Sequence, residues 1–343
     1  MKILNLSPET VHLYKECFDN NGSFKIKENI EWQFFKNNEK YYVNIAFDET
    51  LNKPAAIYAS FGIKFKIENQ IYAASQTMDI ITDVNYRGKG LFTELAKNLY
   101  PEAYKDNIAL MYAFPNGKSI HGFIKYLNWH KIDPLPFIIK PLKTKYFTNK
   151  ISILKNLPNL PLSFKNYKKD KSIKIEIVDF FDDNVTQLWH EFSKNIKVAV
   201  NRDKQYLDWR YIDKPNQNYI IANAYQNDKL AGFIVFVTKE KHNGKIGYIM
   251  ELIYSLENKK VAKQLLDFAT TKIKSENADC ILAWCLDHSP NYKTFSKKWF
   301  ITLPEKIRPI ELHFAYRVFN EKFKETIQNR KNWYISYSDS DTV

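Results

Sequence analysis

The sequence predicts an α+β protein of two tandem domains, each a mixed, mostly antiparallel sheet flanked by helices. Three observations predict it. In the first half, strand-like runs lead into a glycine turn, an amphipathic helix, a further strand and a second helix. The second half repeats that order, as an internal duplication would. Between them, residues 133–172 carry Pro134, Pro136, Pro141, Pro158 and Pro161 among many lysines, the composition of an extended connection. This gives a first domain over 1–145, a linker over 146–172 and a second domain over 173–343.

Residues 9–18 read as a short helix that begins at Ser7-Pro8-Glu9, with proline at an early helical position. Residues 27–36 carry Trp32, Phe34 and Phe35. The runs 40–46, 55–61 and 70–81 read as strands, and the loops between them carry turn chemistry. Residues 107–114 form the next strand, broken by Pro115-Asn116-Gly117. Ser119 is placed to cap a helix over Ile120–Leu127 that ends near Asn128-Trp129. In the second half, 180–195 is helical, with Val185, Leu188, Trp189 and Phe192 on one stripe. Strands follow at 218–224, 230–237 and 245–253, then a helix at 258–274, a strand at 279–285 and a short helix at 291–299. Near the C-terminal end, Trp333, Ile335 and Tyr337 alternate as a strand would. Asp339 and Asp341 follow, in a segment that either returns to the sheet with acid for an amine or frays as an acidic tail.

The chemistry concentrates at Arg87-Gly88-Lys89-Gly90-Leu91-Phe92. Only 9 glycines occur in 343 residues, so the Gly88/Gly90 pair stands out. A glycine loop that opens a helix aims free backbone N–H groups at one point, and the helix dipole adds partial positive charge there. Glycine permits positive φ and close approach, and Arg87 and Lys89 add full charges. The third glycine of a dinucleotide fingerprint is missing, and Lys89 is not followed by Ser or Thr as in a Walker loop.

The string Met78–Lys97 resembles motif A of the GNAT superfamily of acyl-CoA-dependent N-acyltransferases, whose pattern is Gln/Arg-x-x-Gly-x-Gly/Ala. Arg87 and Gly90 match it, whereas Phe92 stands where the pattern prefers Gly or Ala. Asn116 and Ser119 fall where a later GNAT motif has Asn and a small residue after a splayed strand. The resemblance covers roughly residues 40–132. It implies that Ile81, Thr82 and Val84 offer main-chain groups to acyl-CoA, and that Arg87, Gly88, Lys89, Gly90, Leu91 and Phe92 hold its pyrophosphate, with Asn116 and Ser119 nearby. The matching place in the second half, Tyr254–Lys260, has no glycine. The second copy is therefore read as degenerate, with one CoA site for the chain.

Such a transfer needs a neutral amine, a proton acceptor and stabilisation of the oxyanion. Asp79, on the strand before the loop, is a candidate base; it could equally be a strand Asp paired with a lysine. Glu251 occupies the similar strand of the second half and is a second candidate. The tyrosine that many family members use as acid is replaced by Ile124. Gln76, Arg202, Trp209, Arg210, Asp339 and Asp341 are candidate substrate contacts, with Arg202, Trp209 and Arg210 able to grip a phosphate or stack on a base. A core position for Trp209 is the competing reading.

The net charge is +13 and the pI about 9.2, which suits anionic ligands. The lysines are spread along the chain, which argues against nucleic acid. Cys17, Cys280 and Cys285 form no disulfide framework, and no metal-ligand spacing, signal peptide or membrane-length apolar run is seen. The expectation is a cytoplasmic protein, monomer or homodimer, with no metal and no membrane partner. The pattern also resembles two-domain GNAT proteins found with bacterial surface-polysaccharide enzymes, through Gln76-x-x-Asp79-x-x-Thr82, Phe114-Pro-Asn116, Tyr206–Tyr211 and Trp333-Tyr-Ile-Ser. It implies transfer of an acetyl or short acyl group, such as 3-hydroxybutyryl, from CoA to the amino group of a nucleotide-linked amino sugar. The alternatives are transfer to a peptide, polyamine or antibiotic amine, and a non-catalytic CoA- or nucleotide-binding module.

Overall fold

Strands β1 (Lys2–Asn5), β2 (Tyr41–Asp48), β3 (Lys53–Ile67) and β4 (Gln70–Thr82) pair in sequence order, each antiparallel to the next. They form the meander that the sequence predicts, in a computed structural model that describes residues 1–144, 158–162 and 170–343. Helices α1 (Val11–Asp19) and α2 (Lys27–Phe34) lie between β1 and β2 in the chain. After β4 come α3 (Leu91–Lys105), β5 (Leu110–Ala113), α4 (Ile120–Leu127) and the two-residue β6 (His130–Lys131). The crossover through α3 makes β5 parallel to β4. Leu91, Leu95, Ala96, Leu99 and Ala103 are buried, so α3 lays its apolar stripe on the sheet.

The second half repeats this plan. It contains β8 (Ile173–Val178), α5 (Val185–Phe192), β9 (Val198–Val200), α6 (Lys204–Leu207), β10 (Ile220–Gln226), β11 (Lys229–Lys241), β12 (Gly244–Tyr254), α7 (Lys259–Ser275), β13 (Cys280–Trp284) and α8 (Tyr292–Lys297). Strands β10, β11 and β12 are antiparallel and β13 is parallel to β12, as β5 is to β4. The α+β class with two sheets flanked by helices is thus what the chain adopts.

The two sheets also exchange strands, which the sequence reading did not anticipate. Strand β7 (Phe137–Pro141) precedes the expected boundary at 145, yet it pairs with β13 of the second sheet, followed by β14 (Ile301–Thr302). In return β15 (Ala315–Val318) pairs with β5 and β6 in the first sheet. Strand β9 extends the first sheet along β3 at Phe65–Ile67. One continuous core runs through both sheets. The linker expected over 146–172 lies largely outside the described residues.

The C-terminal stretch is also not the strand its alternation suggests. After α9 (Lys324–Gln328), residues Trp333–Ser340 are buried without a break, and the polar Ser336, Ser338, Asp339 and Ser340 are buried with the aromatic ones. A single parallel bridge, Val198 to Trp333, ties the segment to β9.

Candidate active site

The first site element is the turn into α3. Gly88 and Gly90 have φ of +78° and +81°, in the left-handed region where a Cβ is costly. A Cβ on either would meet nothing within 4 Å, so the backbone turn demands glycine and the space before it stays open. Gly90 forms the N-cap, its carbonyl accepting from Thr93 and Glu94. Arg87, Gly88, Lys89 and Gly90 are exposed. Lys89 and Lys53 sit 4.7 and 5.3 Å from the Tyr86 ring, and the Tyr86 hydroxyl donates to Asp48 at 2.6 Å. Two cations thus flank Tyr86 in the turn that leads into the α3 N-terminus.

Phe92, the departure from the family pattern, has a structural counterpart. Its ring lies against Gly122 of α4, where a Cβ would come within 2.9 Å, and packs on Tyr58 and Phe123 at 5.8 and 5.5 Å. The bulk at one position is thus matched by the missing side chain at the other. Gly122→Leu should destabilise the protein by about 1–3 kcal/mol through overpacking. Adding Phe92→Ala should recover most of that loss in thermal melts; simple addition of the two losses would show that they share no space.

The second element is the cleft beside the loop. Pairing of β4 with β5 covers only Ser75–Thr77 with Met111–Ala113, after which the strands part. Beyond Thr77, among the described residues, one edge of β4 has no strand partner, which leaves main-chain groups open. On its other edge Ile81 and Thr82 pair with Ile57 and Ala56 of β3, while Val84 is exposed in the turn that follows. A cleft of about 220 Å³ opens there, lined by Gln76, Asp79, Asn116, Ser119 and Asp341 together with Met78, Ile80, Phe114 and Phe123. Five sequence-predicted residues, spread over 266 positions of chain from Gln76 to Asp341, therefore meet at one place.

Asp79 sits in a β-bulge opposite Tyr58, with φ of +52° that aspartate tolerates better than most residues. Its Oδ2 accepts from the Tyr14 hydroxyl at 2.8 Å, from Gln33 at 3.2 Å and from the Lys25 ammonium. All three reach Oδ2, and the residue lines the cleft. Burial and the neighbouring Asp79 charge raise the Tyr14 pKa well above its ordinary value, so its hydroxyl remains a donor. No sequence signal pointed to Tyr14, Lys25 or Gln33, which lie 46 to 65 residues before Asp79.

At the start of α4, Asn116 rather than Ser119 does the capping. Asn116 Oδ1 accepts from the amides of Lys118 and Ser119, both at 3.0 Å, and Ser119 makes no side-chain cap. Gln76 is buried and accepts from the Tyr112 hydroxyl at 3.0 Å. Ile124 and Tyr126 lie on the exposed side of α4 and do not line the cleft.

The remaining candidates lie elsewhere, and their surroundings correct the roles expected for them. Arg202 is fully buried: its Nε donates to Glu251 at 2.7 Å and one terminal nitrogen to Asp339 at 2.8 and 2.9 Å. A guanidinium closed off in this way has no face for a phosphate, and Glu251 and Asp339 have none for an amine. Glu251 also accepts from Tyr334 at 2.5 Å and Ser336 at 2.9 Å. Arg210 is buried and donates to the carbonyls of Ser338 and Ser340. Trp209 takes the core position, stacked on Trp32 at 4.7 Å.

The fold is GNAT-like. Residues 6–130 match the family model described as an acetyltransferase (GNAT) domain, a stretch that spans the glycine loop, both splayed strands and α4. No curated protein matches the sequence. Among solved structures, the chain resembles an Enterococcus faecalis protein described as a probable N-acyltransferase, with TM-score 0.64 and 13% identity over 93% of this chain and 72% of that one. A GCN5-related N-acetyltransferase from Anabaena variabilis gives TM-score 0.63 and 14% identity over 93% and 73%. Saccharomyces cerevisiae N-myristoyltransferase with bound myristoyl-CoA gives 0.61 and 12% over 92% and 82%. At these identities the likeness is one of fold.

Proposed function

We propose that this chain moves an acetyl or short acyl group from CoA to a primary amine. The observation that carries the reading is the open, glycine-built turn into α3, whose Phe92 packs on Phe123 of the β4/β5 cleft wall. Arg87, Lys89 and the α3 N-terminus would take the pyrophosphate, and the free edge of β4 the pantetheine arm. The amine nitrogen bonds to the thioester carbon, the C–S bond breaks, and CoA leaves as thiolate. Asp79 takes the amine proton, directly or through water, with Lys25 and Tyr14 holding the carboxylate in place.

For the acceptor we propose a nucleotide-linked amino sugar. What supports it is the placement of Lys214 and Lys241 near Asp341, with Lys239 close to both lysines. Burial lowers all three pKa values, that of Lys239 to about 8, and an anionic acceptor would relieve their mutual repulsion. A second reading, a cationic peptide or polyamine, is favoured by the two carboxylates on the cleft wall. The setting we propose is cytoplasmic: the three cysteines are buried and unbridged. Among the described residues no helix is long and apolar enough to cross a membrane.

A thiol-release assay with acetyl-CoA and 3-hydroxybutyryl-CoA against amino-sugar nucleotides, polyamines and peptides tests both readings. Release confined to polyamines and peptides would select the second. Asp79→Asn should lower kcat by about 10²–10⁴-fold with CoA affinity unchanged. Unchanged turnover would remove Asp79 from the chemistry.

A further inference from the structure

The second half keeps the outline of the acyl-CoA cleft and fills it with its own chain. Pairing of β12 with β13 covers Ile246–Tyr248 and Cys280–Leu282, three pairs, as β4 and β5 have three before they part. Each splayed strand carries a bulge with an acid at or beside it, Asp79 in β4 and Glu251 in β12. In the first half the parting leaves an open cleft. In the second, the Tyr337 ring packs where the strands part, stacked at 4.5 Å on Trp284 of β13, edge-on at 5.4 Å to Tyr248 of β12 and 6.2 Å from Phe137 of β7. The helix that follows differs to match: α7 is capped by the Asn258 side chain, which accepts from Lys260 N at 3.1 Å where α3 has its glycine turn.

Residues on both sides of Tyr337 are fixed by the second half. Ser336 donates to Glu251, Asp339 receives Arg202, and Ser340 receives Arg210. Asp341, the next residue, emerges exposed at the cleft of the first half.

We propose that residues 336–341 form a positioning strap: the vestigial cleft of the second half grips Tyr337 so that Asp341 stands in the first cleft as the residue that recognises the acceptor's ammonium group. This rests on the acyl-transfer reading and adds a role for the second half, which serves as a clamp for the strap and not as a second CoA site. Asp341 determines acceptor affinity, and Tyr337 acts through it as a positioning residue.

The test measures kcat, amine KM and CoA affinity for Asp341→Asn, Tyr337→Ala, Tyr337→Phe and the double variant Tyr337→Ala/Asp341→Asn, with hydrogen exchange across 336–341. Asp341→Asn should raise amine KM about 10-fold, the scale of one charged hydrogen bond, and leave CoA affinity unchanged. Tyr337→Ala should raise it similarly and speed exchange in the strap, while Tyr337→Phe, which keeps the ring, should raise it less. The double variant should be no worse than Asp341→Asn alone, because both changes remove one interaction. Additive KM effects, an amine KM unmoved by Asp341→Asn, or unchanged strap exchange in Tyr337→Ala would each overturn the strap while leaving acyl transfer intact. Absence of thiol release with every amine, despite CoA binding, would overturn both readings. The exposed Asp341→Asn variant is expected to fold, so its kinetics decide the recognition role even where Tyr337→Ala does not fold.

Discussion

Gly90→Val should weaken CoA binding by two orders of magnitude or more, with only a modest loss of thermal stability. The residue caps α3 at φ +81° and ψ 0°, a conformation that costs an ordinary L-residue about 1–2 kcal/mol, and a β-branched one more. Because a Cβ at this position meets nothing within 4 Å, the protein accommodates the side chain sterically. The damage falls on the ligand: the new methyls stand in the open space before the turn, or the turn opens to relieve its φ and disperses the amides. Gly90→Asn separates the two causes. Asparagine tolerates the left-handed conformation, so it should spare the fold yet still obstruct the turn. Calorimetric titration with CoA, read beside thermal melts, gives the answer. Wild-type affinity in both variants would show that the turn does not hold the pyrophosphate.

What could be read from the sequence was the part whose chemistry is local. A glycine pair before an apolar helical stripe reports a backbone conformation and a helix start at once, so the α3 turn was legible from Arg87 to Leu99. Asp79 lies on the strand that leads into that turn, and Asn116 stands in the Pro115-Asn116-Gly117 break after the next strand. Strand exchange was not legible. Phe137–Pro141 and Ala315–Val318 are ordinary short apolar runs, and nothing in their residues says which of two similar sheets will pair with them. Arg202 reads as a substrate contact able to grip a phosphate because a lone arginine carries no mark of burial; its partners Glu251 and Asp339 lie 49 and 137 residues away. The alternation of Trp333, Ile335 and Tyr337 implied one wet face. Tyr334, Ser336 and Ser338 are buried too, because the segment threads between the halves and has no outward side. Their hydroxyls meet Glu251 and the Tyr206 hydroxyl, which is how polar residues remain inside.

That buried network yields the largest expected loss of stability. Arg202→Met should destabilise the protein by about 3–5 kcal/mol, because it strands the Glu251 and Asp339 carboxylates with no cation between them. The loss should depend on pH, and the sign follows from Asp339. Burial, with a further push from the Glu251 charge, raises its pKa from 3.8 to about 6, while Arg202 pulls the other way. The tyrosines 112 and 206 and the Ser336 amide also face it. The folded state thus holds this proton more tightly than the unfolded chain does, so the carboxyl's contribution is greatest below about 4 and is lost as pH rises through 6. Without Arg202 the downward pull is gone and the folded-state pKa rises further, so the deficit of the variant against wild type should widen above pH 6 and narrow toward pH 4.5. Adding Glu251→Gln and Asp339→Asn removes the stranded charges and should restore much of the stability at pH 7.5. Urea melts at pH 4.5, 6 and 7.5 measure each of these differences. An equal deficit at all three values would mean that the charge left on Asp339 is not what destabilises the variant, and that the guanidinium matters for its packing against Trp189 and Tyr334, which lie 5.2 and 4.8 Å from it.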